Sequence, residues 1–391
     1  MNTAHRLNGI QEYFFSKKLR EIDSLNKEGK QIINLGIGSP DLPPHESVIE
    51  VLAVESAKSN QHAYQSYKGS PVLRKAIAEW YAQSYQVNLD AETEILPLIG
   101  SKEGILHICM TYLQEGDAAL IPNPGYPSYS AAVKLTGALP VSYDLQEENN
   151  WLPNFDTLEK LAKIYKCKLL FVNYPHMPTG QLPTDDLFER LVAFAKKQGI
   201  LIVHDNPYSF ILNETPKSIL AVEGAKEVAL ELNSLSKSHN MAGWRVGMLL
   251  GLAERINEVL RFKSNMDSGM FLPVQLAAAK ALQLGNDWYQ QLNEIYRNRQ
   301  QKAFELLKLL NCSYDKKQVG LFVWAKVNEK INDEGEMGKG GNLSDEVLYK
   351  ANVFITPGGI FGKNGNDYVR VSLCCPVEKF DEAIKRIKEN L

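Results

Sequence analysis

Apolar positions along the chain fall into two rhythms. Between residues 70 and 250, short, mostly apolar runs alternate with stretches of helical spacing. The runs at 95–99, 118–121, 141–145, 169–173, 200–203 and 228–232 read as strands, most of them with no polar face. Such strands belong to a sheet covered by helices on both sides. In the intervening stretches apolar residues recur every three or four positions, as in Leu73, Ala76, Ile77, Trp80 and Tyr81, which predicts an amphipathic helix. Its start is marked as well: Gly69 permits a turn, Ser70 is placed to cap, and Pro71 occupies the first helical position. Further helices are predicted at 10–30, 46–58, 129–136 and 183–198.

The pattern changes towards the C-terminus. A helical tract over 251–310 is followed by a strand at 321–327 and a polar, glycine-rich stretch at 328–342, which predicts a mobile surface loop. A helix near 344–351, strands at 353–356 and 368–374 and a last helix close the chain. The expected architecture is α/β. A large domain over 41–275 holds a mostly parallel, seven-stranded-type sheet between helices. A smaller α+β domain is built from the two chain ends, an N-terminal arm over 1–40 and a C-terminal part over 276–391.

Composition narrows the function classes. A chain of 391 residues, 44% hydrophobic and 23% charged, suits one large domain and a smaller one. A net charge of −3 disfavours an electrostatic grip on nucleic acid or anionic membrane. No apolar run of about eighteen residues occurs, so no bilayer span is expected. The first residues, Met-Asn-Thr-Ala-His-Arg-Leu, lack the apolar core of a secretory signal. Five cysteines without zinc-type spacing and seven scattered histidines fit a metal-free cytoplasmic protein with reduced thiols.

The candidate chemistry lies just past the strand ends, where open α/β sheets bind ligands. Gly100-Ser-Lys-Glu-Gly104 joins a strand to a helix start, and so offers free N–H groups and a positive dipole end to a phosphate. Tyr126 lies in a loop stiffened by three prolines, Asn173 ends its strand, and Asp205 follows an apolar run that makes a solvated surface acid improbable. Lys237 is set among Ser234, Ser236 and Ser238, with Arg245 eight residues on between Gly243 and Gly247. Gly36 and Gly38 allow backbone to approach a ligand closely. Arg370 interrupts an apolar strand, either as an edge contact to solvent or as a guanidinium turned into a cleft to hold a carboxylate. An aromatic, phosphorylated ligand fits this set, and Lys237 is the candidate for a Schiff base with pyridoxal 5'-phosphate.

In kind and in order, these motifs resemble the class I/II aminotransferases of the type I pyridoxal-phosphate fold, over roughly residues 30–375. The resemblance implies that Lys237 is the Schiff-base lysine and that Arg245 pairs with the cofactor phosphate, with Ser234 and Ser236 as nearby hydroxyl ligands. It makes Ser101 and Lys102 the phosphate cradle, Tyr126 the ring-stacking aromatic, Asp205 the acid beneath the pyridinium nitrogen and Tyr208 the phenol at O3′. Gly38 and Arg370 would receive the substrate α-carboxylate. Tyr64 would reach the phosphate of the neighbouring subunit in a homodimer, and Ser268 is assigned to the same shared edge. The implied reaction is ping-pong transfer of an amino group from an amino acid to a 2-oxo acid.

One position departs from the family. Its Asn-Pro-Thr-Gly tetrad is here Met177-Pro-Thr-Gly180, and methionine has no N–H to give O3′. Asn173, His176 or a water is left to do so. A carbon–sulfur lyase on the same scaffold, an acyltransferase relative and a non-catalytic ligand sensor are the rival readings. No second arginine stands out for a distal carboxylate, which favours neutral or mixed substrates.

Overall fold

In the computed structural model, which describes residues 2–328 and 337–391, the six runs and a further strand that the pattern had not marked, Gly247–Leu250, form a seven-stranded sheet. Its order is Ile95–Leu98, Gly247–Leu250, Ala229–Ser234, Leu201–Asp205, Cys167–Val172, Ala118–Asn123 and Leu139–Asp144. Gly247–Leu250 runs antiparallel to both of its neighbours, and the remaining pairings are parallel. Alternate residues of one strand feed opposite cores. Leu170, Val172 and Ile202 face the layer of Trp80, whereas Leu169, Phe171 and Val203 face that of Ile105 and Ile108. Burial on both faces is why the central strands carry no polar side, whereas the edge strand Leu139–Asp144 alternates exposed and buried residues. Each fully buried Leu, Ile or Val stabilises the fold by about 1.5–3 kcal/mol.

The helix Pro71–Tyr85 starts where its signals place it, with the Ser70 hydroxyl accepting from the Val72 amide at 3.2 Å. A second sheet, in the order Thr356–Pro357, Tyr368–Ser372, Phe322–Val327 and Cys312–Ser313, is antiparallel throughout. The N-terminal segment joins this part of the molecule, because Ile33–Asn34 pairs in parallel with Val353–Phe354.

Three expectations need correction. The first helix is shorter than 10–30 and runs Phe14–Lys27, since Gly29 adopts a left-handed φ of 87° and ends it. The tract 251–310 is three helices, Ala253–Lys263, Leu272–Leu282 and Asn286–Leu309. Of the stretch 328–342, residues 329–336 lie outside the described residues, but Gly338–Ala351 is one helix. Gly340 is there for close packing: any Cβ would overlap the Tyr368 carbonyl, so the helix lies directly on that strand. A glycine-rich sequence had read as a loop because packing against a distant strand leaves no local signal.

Candidate active site

Strands Cys167–Val172, Leu201–Asp205 and Ala229–Ser234 end beside a cavity of about 620 Å³. Gly38, Ser101, Lys102, Tyr126, Asn173, Met177, Asp205, Tyr208, Ser234, Ser236, Lys237, Arg245 and Arg370 all line it. Tyr64 and Ser268 do not. Tyr64 is 93% exposed, and it lies beside Gln65, whose bridge to Gly269 puts Ser268 on the same outer edge.

Lys237 sits on the short helical turn Leu235–Ser238, capped by the Ser234 hydroxyl, which accepts from the Ser236 amide at 3.1 Å. Its ammonium donates to the Gly38 carbonyl, so the lysine reaches across the cavity to the glycine segment. Burial pushes its pKa down, with the Arg370 and Arg245 charges acting in the same direction and Cys374 opposing them. Arg245 lies against the turn that precedes Ser101. Gly100 has φ 82°, a conformation that strains any other residue, and a Cβ there would also displace the guanidinium. Gly247 similarly leaves room for the Ser101 amide, which a Cβ would approach to 2.5 Å. The helix Ser101–Tyr112 therefore presents its first N–H groups next to a guanidinium, so that both positive features face one spot.

Asp205 is buried beneath the cavity. One carboxylate oxygen accepts from the Tyr129 hydroxyl at 2.8 Å, and the other has no partner. Burial raises its pKa to about 6, against the lowering effects of the Tyr129 hydrogen bond and the His204 charge. The Asn173 side chain donates to the Asp205 carbonyl at 2.5 Å and accepts from the Met177 amide at 2.8 Å. The side chain is thus tethered to backbone at both ends, with the second N–H of its amide still to be placed.

Arg370 lies on a central strand of the second sheet, which rules out the edge alternative. Its guanidinium is buried 3.7 Å over the Phe322 ring and 4.6 Å over Phe361. It donates to the Gly36 carbonyl at 2.9 Å and to the Met177 sulfur at 3.4 Å, while its Nε has no partner. Burial pulls its pKa down to about 10, so it stays charged at neutral pH. It makes no ion pair among the described residues, and a substrate carboxylate would supply the missing counter-charge.

Several lining residues had escaped the sequence reading. Tyr13, Phe15 and Leu19 come from the N-terminal segment and helix, and Phe322 and Phe361 from the second sheet and its glycine turn. Phe15 and Leu19 fall within the stretch 10–30 predicted as helix, where their spacing is that of an ordinary apolar helix face. Tyr129 carried a usable signal, three residues after Tyr126 in a proline-stiffened turn.

Residues 30–387 match the family model described as aminotransferase class I and II. The chain belongs to this family. It is 38% identical to the LL-diaminopimelate aminotransferase of Halothermothrix orenii, over 100% of this chain and 99% of the relative. It is also 38% identical to that of Aquifex aeolicus, over 98% of each chain. The substrate-bound BacF structure from Bacillus subtilis superposes with a TM-score of 0.92 at 34% identity, covering 100% of this chain and 98% of that one. An aspartate aminotransferase mutant from Thermus thermophilus, 23% identical with a TM-score of 0.90 and both chains fully covered, shares the fold. The protein is thus a transaminase, moving an amino group from an amino acid to a 2-oxo acid by ping-pong exchange. The lyase and sensor readings are not favoured. Aminotransferases of this family and fold generally depend on pyridoxal phosphate. No helix of the described residues is long and apolar enough to cross a membrane.

Proposed function

We propose that this aminotransferase binds pyridoxal 5'-phosphate on Lys237 and acts on amino acids with apolar or aromatic side chains. The observation that carries the cofactor reading is the partnerless oxygen of buried Asp205, in the same cavity as the Lys237 ammonium and the Gly100–Ser101 turn. These residues fit the group: Asp205 for the ring nitrogen, Tyr126 for the ring face, Tyr208 for O3′, and Ser101, Lys102, Ser234, Ser236 and Arg245 for the phosphate. When bound, the cofactor serves as an electron sink for the substrate Cα. Asp205 holds the proton on the ring nitrogen. Lys237 would carry a proton to and from the substrate Cα in its neutral form, which burial favours. Arg370 and the Gly38 backbone orient the α-carboxylate.

The side-chain preference is supported by the walls. Tyr13, Phe15, Leu19, Ile37, Phe322 and Phe361 line the cavity, and its two arginines, Arg245 and Arg370, already have anions to hold. One observation favours a second reading, LL-diaminopimelate, the substrate in the relatives' names. The Lys102 ammonium reaches the cavity over the Tyr13 ring at 4.4 Å, where it would suit a distal carboxylate. We further propose a homodimer that shares its sites through Tyr64 and Ser268. Exposed Tyr64, Tyr67, Val72, Met266 and Phe271 support an apolar edge awaiting a second copy, and a fully active monomer would contradict it. A cytoplasmic location agrees with the reduced thiols of Cys109, Cys167, Cys374 and Cys375.

The test is a single-turnover panel of leucine, methionine, phenylalanine, LL-diaminopimelate, glutamate and aspartate, read from loss of the visible cofactor band. Fast reaction with the apolar donors supports the first reading, and fast reaction with LL-diaminopimelate alone supports the second. Reaction confined to aspartate and glutamate would overturn both.

A further inference from the structure

Outside the cavity, one buried cation has an unusual setting. Lys263 ends the helix Ala253–Lys263 and is 1% exposed. Glu103, His107 and Asp267 each turn one ligand-type atom to the same spot, all within 4.8 Å of one another, a grouping of the kind that binds metal ions. Here the Lys263 ammonium supplies the positive charge. It is ion-paired with Asp267 and lies 3.7 Å from Glu103, whose same oxygen meets the His107 ring at 2.7 Å.

The two carboxylates belong to different functional segments. Glu103 is in the first turn of the helix Ser101–Tyr112, and its other oxygen accepts from the Ile99 amide at 3.1 Å. That bond pins the 99–102 turn, whose backbone faces Arg245. Asp267 stands just before Ser268 and Gly269, and Gly269 bridges Gln65 next to Tyr64. Gln275 locks this edge further, donating to the Met270 carbonyl and accepting from the Ser70 amide, both at 2.6 Å.

We propose that Lys263 is a positioning residue that holds the phosphate-facing turn 99–102 and the edge segment 264–271 in register, by neutralising Glu103 and Asp267 together. Without it, two partly buried carboxylates repel at close range and the turn separates from the edge. The inference rests on the reading above, in which residues 100–102 cradle the cofactor phosphate and the edge carries Tyr64.

The experiment measures the cofactor dissociation constant and the sedimentation of the wild type, Lys263→Met and Lys263→Met/Asp267→Asn. The expected result is at least a tenfold weaker cofactor affinity in Lys263→Met and recovery to within about threefold in the double variant. With cofactor saturating, kcat and KM for the amino donor should stay within twofold, a split that general destabilisation would not produce. Should Lys263→Met fail to fold, Asp267→Asn with Lys263 retained gives the second measurement, with an expected loss of about threefold. Unchanged affinity in whichever of these variants folds, or a double variant as weak as Lys263→Met, would overturn the inference. A wild type that does not take up the cofactor would instead overturn the reading of the site, and this inference with it.

Discussion

Tyr129 donates a 2.8 Å hydrogen bond to one oxygen of Asp205 and leaves the other buried and free. The division of labour follows from the packing. The Tyr129 ring stacks on Phe171 at 4.9 Å, so its hydroxyl cannot swing away, and the carboxylate is fixed with one oxygen available to a ring nitrogen. A hydrogen bond to a charged group contributes roughly 1.5–3 kcal/mol. Tyr129→Phe should therefore lower kcat by about 10- to 100-fold with a much smaller change in KM for the amino donor. Steady-state kinetics at saturating cofactor measure this, and an unchanged kcat would mean that Asp205 needs no help in holding its position.

Met177 meets Arg370 through its sulfur and has no donor for the cofactor O3′. Asn173 gives one N–H to the Asp205 carbonyl and its oxygen accepts from the Met177 amide, which leaves its second N–H as the remaining side-chain donor for O3′ at this strand end. Met177→Asn should add a donor to O3′ and stabilise the deprotonated form of the lysine–cofactor adduct. The pKa read from a spectral titration of the visible band should fall. A value that stays put or rises would sink this account of the departure.

The cofactor-free protein should carry a stability signature of Asp205. Burial lifts its native pKa from 3.8 to about 6, so the native state binds a proton that the unfolded chain releases between those values. Stability from this group is then full below the unfolded pKa and declines as pH rises through about 6, by on the order of 3 kcal/mol. Lys237 has the opposite sign of slope: its native pKa is depressed, so its contribution improves as pH rises towards the unfolded value of 10.5. Urea unfolding of the cofactor-free wild type and Asp205→Asn from pH 4 to 7 separates the first effect. Identical slopes in the two proteins would contradict it.

Much of this was legible in the chain because the signals were local. Runs apolar on both faces, such as Leu169–Phe171 in the strand Cys167–Val172, announced a covered parallel sheet, and Ser70 with Pro71 announced a helix start. Asp205, Tyr126 and Lys237 stood out because each lies at or just past a strand end, and all three line the cavity. What could not be read depended on distant partners. Arg370 was ambiguous until its strand proved central, with Phe322 and Phe361 brought against it from other segments. Gly340 looked like loop because the Tyr368 backbone it accommodates is 28 residues away in the chain. Tyr13 and Phe15 join the cavity by a fold that runs from one end of the chain to the other.

The central claim is that Lys237 holds the cofactor covalently. Borohydride reduction of the protein loaded with pyridoxal phosphate, followed by peptide mass spectrometry, tests it most directly. The account predicts a single modified peptide carrying the cofactor on Lys237, and loss of both that adduct and the visible band in Lys237→Ala. Trapping at wild-type level in the variant, or modification at another lysine in the wild type, would contradict it.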